Sequence, residues 1–213
     1  ANTETARQIH YQIRYQVYCL EEGFEDHRNF NDYQEKDDWD EHSVHFLVRS
    51  KTTREWVAAM RLVPPAQNGL PLENICTIDA TAAPENLGKS AVEVSRLCIL
   101  NPYRHARPPT HNANQPSSQN SATTGDSPVG KLKYRSEIVM GLMRAAAAYC
   151  RENNITYWYF LSTPAFARMM NILNFQLLEL GPACDHRGKR KPYLSNPLSA
   201  HERAFQGNPA IPT

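Results

Sequence analysis

One ten-residue run, Ala91–Leu100 (AVEVSRLCIL), constrains the fold more than any other feature. Its apolar residues suit a strand inside a sheet, yet it carries Glu93 and Arg96. A charge buried without a partner costs several kcal/mol, so Arg96 demands an acidic group from elsewhere in the chain. Residues three apart on a regular strand face opposite ways, so Glu93 and Arg96 share a face only if a β-bulge interrupts the run, near Val94–Ser95. One ion-pair network joining Glu93 and Arg96 to Asp37 or Asp40 is expected on this reasoning.

Around this strand the patterning alternates between helix and strand. Thr3 to Cys19 reads as an amphipathic helix, less regular toward its end, with Gly23 as a stop. The acidic stretch Glu35–Glu41 is polar enough to read as a loop or exposed edge. Val44–Arg49 and Trp56–Val63 are strands joined by a polar turn. Residues 66–90 are irregular, with one short helical turn. Residues 105–130, rich in Pro, Ser, Asn, Thr and Gln, read as a mobile low-complexity insertion. A helix over Ser136–Asn153 follows, then a strand at Ile155–Ser162 and a helix from Thr163-Pro164 (N-cap, then Pro at the first helical position) to Leu173. Strands at Gln176–Leu180 and Pro192–Ser195 finish the order. Residues 1–213 are expected to form one domain of the α/β (α+β) class, a sandwich with helices on both faces of a mixed, mostly antiparallel sheet.

Composition excludes several classes. With 41% apolar and 21% charged residues the chain buries a real core. It has no apolar run of the roughly 20 residues a membrane span needs. Five cysteines, odd in number and widely spaced, suit free thiols and a cytoplasmic setting. A pI near 7.9 argues against nucleic acid as a partner. The charges are nonetheless segregated: residues 1–93 hold 16 acids and 9 bases, and residues 94–213 hold 6 acids and 14 bases. Such asymmetry suits a cationic ligand on one side and an anionic one on the other.

Among short motifs, Gly125–Lys131 fits GxxxxGK, but Leu132 replaces the required hydroxyl and no strand precedes it, so nucleotide binding is not expected. His42 and His45 lack a third ligand, and no metal site is expected. The groups that add up are Arg14, Tyr18 and Phe24 in and after the first helix, Glu35-x-Asp37-x-x-Asp40, Arg61 at a strand end, and Glu93-x-Ser95-Arg96.

In that order these residues resemble the acyl-homoserine-lactone (autoinducer) synthases, within the GNAT-type N-acyltransferases. The wording IRYQVYCLEEGFE, AAMRLV and VEVSRLCI is similar also to N-acyl amino acid synthases and to acyltransferases associated with PEP-CTERM/exosortase systems. The resemblance covers about residues 9–182 apart from the insertion. It implies a GNAT-like three-layer sandwich and transfer of a fatty acyl group from a thioester to the amine of an amino acid or similar molecule. The rival product is a homoserine lactone made from S-adenosylmethionine; a rival of another class is a non-catalytic acyl-chain or protein binding module. No cofactor is implied beyond the thioester donor, which carries phosphopantetheine or CoA as a substrate. The pyrophosphate-binding loop of CoA-dependent GNAT enzymes is absent, which favours an acyl carrier protein as donor and partner.

The expected roles follow. Glu35, with Glu93 second, accepts the amine's proton, and Ser95 accompanies them in the catalytic group. Arg14, Tyr18, Phe24, Asp37, Asp40, Arg61 and Arg96 bind substrate or hold the charge network. Lys131, Lys133, Arg135 and Arg144 form a docking patch for an acidic carrier. Tyr157–Phe160 with Met140, Met143, Met169 and Met170 are candidates for an acyl-chain tunnel.

Overall fold

The computed structural model describes residues 1–67, 69–79, 90–104 and 128–197, with the side chains of 128–134 excepted. Helix α1 (Glu4–Arg14) is capped by the Thr3 hydroxyl, which accepts from the Ala6 N–H. It does not continue as an α-helix to Cys19: Tyr15–Glu21 is wound as a π-helix, a form concentrated at functional sites. Gly23, at φ +63°, ends it in the left-handed region that favours glycine.

The strands are β1 (Val44–Arg49), β2 (Trp56–Val63), β3 (Ala91–Ile99), β4 (Tyr157–Ser162), β5 (Leu178–Glu179), β6 (Cys184–Asp185) and β7 (Lys189–Ser195). They form a seven-stranded sheet in the order β1-β2-β3-β4-β7-β5, with β6 paired to β7. Among the described residues only β3 and β4 run parallel. A 3₁₀ turn at Pro71–Asn74 supplies the helical turn expected within 66–90. Short helix α2 (Asn101–Arg104) and the β6 hairpin arm are too brief to leave a periodic signal. Helix α3 spans Pro128–Glu152, beginning eight residues before the expected Ser136 with Pro128 as its first residue. Residues 128–130 of the expected insertion therefore belong to a helix, and 105–127 lie outside the described residues. Helix α4 (Pro164–Ile172) starts as predicted, with the Thr163 hydroxyl accepting from the Phe166 N–H.

Strand alternation sorts the sheet into two faces. Met60, Leu62, Val92, Val94, Trp158 and Phe160 meet Leu142, Met143 and Ala146 of α3 and Met170 of α4. Met143 and Met170 are completely buried there, so these two are core side chains rather than tunnel walls. On the opposite face Ala59 and Cys98 pack on Ile13 and Val17. Helices on both faces of a mostly antiparallel sheet are the layers expected. The thiol expectation fails at two positions: Cys76 and Cys184, 108 residues apart, form a disulfide, while Cys19, Cys98 and Cys150 are free and buried. Loop 64–79 and the β6–β7 hairpin approach each other in space, which spacing along the chain could not reveal.

Candidate active site

The face opposite α3 carries the polar groups. Arg61 stands opposite Ser95 in the β2–β3 ladder, and Glu93 opposite Val63. The ladder then slips: Ala59 pairs with Cys98, so two residues of β3, Arg96 and Leu97, span the position of Met60 alone. The expected bulge thus exists, displaced to Arg96–Leu97. Arg96 takes φ +51°, which costs a non-glycine residue about 1–2 kcal/mol. This turn brings Arg96 to the same acidic groups as Arg61, and their ion pairs offset the strain.

Three guanidiniums and three carboxylates meet there. Arg14 at the end of α1 donates from Nε to Glu35 at 2.5 Å and from Nη1 to Asp40 at 2.6 Å. Arg61 grips Asp37 with both Nη atoms, at 2.6 and 2.9 Å, and reaches Asp40 at 2.7 Å and the Ser95 hydroxyl at 3.0 Å. Arg96 donates to Asp37 at 2.9 Å and lies 3.1 Å from Glu35. His45 adds a contact to Asp40 at 3.1 Å. The stretch read as a solvated loop is therefore partly interior: Glu35 is 1% exposed and Asp40 5%. Asp40 also accepts from the Asp37 N–H at 2.8 Å, so the acids wind their own loop as well as hold the arginines.

The electrostatics follow from this geometry. Burial would raise the Asp40 carboxyl, but the His45 contact and the two guanidiniums hold it well below the usual carboxylate range. Asp37 is likewise lowered, burial being overcome by Arg61. Glu93 differs. It makes no ion pair among the described residues, and its carboxylate accepts the Leu72 N–H at 2.8 Å. Burial pushes it up to about 7. The expectation that Glu93 and Arg96 share one ion-pair network thus holds for Arg96 and fails for Glu93, which the Pro71–Asn74 turn satisfies with a backbone donor instead.

Pairing between β3 and β4 runs from Ala91–Tyr157 to Val94–Phe160 and stops. Beyond that point β3 continues beside β2 and β4 beside β7, so the two strands part. A cavity of about 230 Å³ fills the gap, lined among others by Ser95, Arg96, Phe160, Ser162, Tyr18 and Arg190. An adjoining one of about 170 Å³ shares Tyr18 and Arg190 and adds Phe24 and Arg104. The Arg96 and Arg187 guanidiniums lie over the Tyr18 ring at 5.5 and 5.7 Å, and Tyr18 contacts Phe24. Burial raises the Tyr18 phenol to about 12.

All ten residues expected for catalysis and substrate binding thus surround one cleft, or lie in the charge network or strand at its edge. Of the docking patch, Arg135 lines both cavities, Arg144 is exposed on the same helix, and the Lys131 and Lys133 side chains are outside the described residues. Arg187 and Arg190, on the β6–β7 hairpin, were not anticipated; nothing in their local sequence marks them.

Residues 13–111 match the family model of the acetyltransferase (GNAT) domain. No curated protein matches the chain in sequence. Similar solved structures include BjaI, a CoA-dependent acyl-homoserine lactone synthase with S-adenosylmethionine and isopentyl-CoA. It is 17% identical, with a TM-score of 0.62 over 98% of this chain and 85% of that one. The acyl-homoserine lactone synthase LasI is 16% identical, with a TM-score of 0.62 over 99% of this chain and 92% of that one. FeeM, an N-acyl amino acid synthase from uncultured soil microbes, is 13% identical, with a TM-score of 0.55 over 95% of this chain and 97% of that one. The sheet that parts between β3 and β4, the domain match and these neighbours together identify the fold as that of the GNAT-type acyltransferases, as the resemblance implied.

Proposed function

We propose that the protein is an N-acyltransferase that moves a fatty acyl group from a thioester donor to the amine of a small acceptor. The observation that carries this reading is the parting of β3 from β4 beside the charge network. It opens a cleft for a donor arm and leaves the β3 edge beyond Val94 without a β4 partner among the described residues. Backbone N–H groups on such an edge suit the oxyanion that forms when the amine nitrogen attacks the thioester carbonyl. The new C–N bond forms, the C–S bond breaks, the thiolate leaves, and one amine proton must be taken up.

For that proton Glu93 is the better acceptor. Glu35 is held by Arg14 and Arg96, so its oxygens are already engaged by cations. Glu93 lies two residues before Ser95 on the same face of β3, and a pKa near 7 is matched to a general base at neutral pH. Glu35, Asp37 and Asp40 then act as positioning residues for Arg14, Arg61 and Arg96, and Ser95 orients Arg61. An acyl carrier protein or CoA brings the donor, and Arg135 on α3, which lines both cavities, is a cation placed to meet it. Among the described residues no helix is long and apolar enough to cross a membrane.

The test is mass spectrometry of products from acyl-carrier-protein and acyl-CoA donors, each offered with an amino acid panel and with S-adenosylmethionine. An acylated amine from any combination supports the proposal. Unchanged donors throughout, from folded protein, refute it. A lactone formed from S-adenosylmethionine assigns the autoinducer reaction.

A further inference from the structure

Five arginines stand around the cleft, and all but two are neutralised. Arg96 pairs with Asp37 and Glu35, Arg104 with Glu21 and Glu22, and Arg187 with Glu25. Arg190 and Arg135 meet no carboxylate among the described residues. Arg190 is the more constrained. Its Nε donates to the His186 carbonyl at 2.7 Å, which fixes the guanidinium plane, and its charge lies 6.0 Å from the centre of the Phe24 ring. It is partly buried on β7 and lines both cavities.

The hairpin is built to present it. Arg187 and Gly188 both take positive φ, 54° and 90°, and turn the chain tightly between β6 and β7. The Cys76–Cys184 disulfide anchors the β6 arm, and Cys184 is Arg190's partner in the ladder. A guanidinium held in place, with its Nη edge uncommitted and no counter-charge among the described residues, suits a planar two-oxygen anion.

We infer that Arg190 binds the α-carboxylate of the acceptor, and so selects amines that carry a carboxylate on the adjacent carbon. This rests on the acyltransfer reading and names its substrate class. One carbon separates the two groups of an α-amino acid, and Ser95, Arg96 and Arg190 line the same small cavity. A carboxylate on Arg190 therefore holds the amine inside that cavity, toward the β3 edge where the thioester carbonyl is placed. Tyr18 and Phe24 form the aromatic wall between these points. Free amino acids and S-adenosylmethionine both carry this group, so the chemistry is shared by both acceptors.

The experiment compares each accepted amino acid with its own carboxamide, and S-adenosylmethionine with its decarboxylated form, in the wild type and in Arg190→Gln, Arg190→Lys and Arg135→Gln. Loss of a charge-assisted bidentate contact is expected to raise KM for the acid about 10- to 100-fold in Arg190→Gln, while KM for the amide stays put. Arg190→Lys should restore part of the preference, and Arg135→Gln should keep all of it. Calorimetric titration with L-leucine and L-leucinamide, and with the S-adenosylmethionine pair, repeats the comparison without turnover. Equal affinity for acid and amide in the wild type, or no binding of either acid, overturns the inference even where acyl transfer is observed. A rise in donor KM alone overturns it in favour of a donor phosphate site. An absence of acyl transfer with intact carboxylate-selective binding refutes the catalytic reading instead.

Discussion

Asp40 is where the charge balance of the site is most exposed to a single substitution. Its Oδ1 accepts from Arg14 at 2.6 Å, Arg61 at 2.7 Å and His45 at 3.1 Å, and Oδ2 takes the Asp37 N–H. Asp40→Asn keeps the shape and one acceptor but removes the charge, leaving three guanidiniums against two carboxylates. Arg14 is 0% exposed and Arg61 1%, so water cannot take over. Breaking a buried pair from one side costs about 3–5 kcal/mol. In a domain of this size each kcal/mol moves Tm by about 2–4 °C, so a fall of roughly 6–20 °C is expected. Asp32→Asn is the control: Asp32 also touches a cation, Lys36 at 2.7 Å, but both are about half exposed, and such pairs contribute about 0–1 kcal/mol.

The sign with pH gives a second readout. The folded-state pKa of Asp40 is depressed, so its contribution is present above the unfolded value near 3.9 and is lost as pH falls below it. Urea titrations between pH 7 and pH 2.5 should show the wild type converging on Asp40→Asn as acid is added. Equal losses for Asp40→Asn and Asp32→Asn at pH 7, or a gap between wild type and Asp40→Asn that does not narrow between pH 4 and pH 2.5, would refute the buried-network argument.

Other substitutions probe the remaining parts. With Glu93 near pKa 7, kcat/KM should rise through that pH as the carboxylate ionises, and Glu93→Gln should flatten this limb and lower the rate roughly a hundredfold or more. The stability sign is opposite to that of Asp40. A raised acid favours folding below its unfolded pKa and loses that contribution as pH climbs through 7, so denaturation of Glu93→Gln should lack this decline. Cys184→Ser should cost about 2–4 kcal/mol, with reductant reproducing the Tm shift in the wild type and leaving the variant unmoved. Reversing Lys131, Lys133 and Arg135 to Glu should raise KM for a carrier-protein donor, most steeply at low salt, with little change at saturation; a salt-independent KM would remove the docking role.

The β2 strand and the starts of α1 and α4 were legible because each is set by local chemistry: alternation in Trp56–Val63, or a hydroxyl before Pro164; the start of α3, eight residues ahead of Ser136, was not. The π-helix at Tyr15–Glu21 was not, since the apolar spacing of Ile13 and Val17 is compatible with either winding. The burial of Glu35 and Asp40 was hidden for a different reason. Five acids in seven residues look solvated until three arginines from three other elements are placed against them, and only the fold does that. Cys76 and Cys184 are the same problem at a separation of 108 residues.

Arg96 finds its acids in Asp37 and Glu35, whereas Glu93, three residues away on the same strand, is outside that network. Glu35, Asp37 and Asp40 answer Arg14, Arg61 and Arg96, with Glu25 3.9 Å from Arg96, and none of these contacts involves Glu93. Glu93 is then a buried acid with no ion pair among the described residues, and its burial lifts the pKa against the lowering effect of the Leu72 N–H. Had Glu93 joined Arg96 in a pair, it would be a depressed carboxylate of the Asp40 kind, too weak a base for an ammonium's proton. Burial without an ion-pair partner among the described residues is therefore what leaves Glu93 basic. It follows that a cation set beside it, as in Val63→Lys directly opposite Glu93 in the β2–β3 ladder, should lower its pKa and move the pH 7 limb of kcat/KM to lower pH even where Glu93 itself is intact. A limb unmoved in that variant would mean that some other group takes the proton.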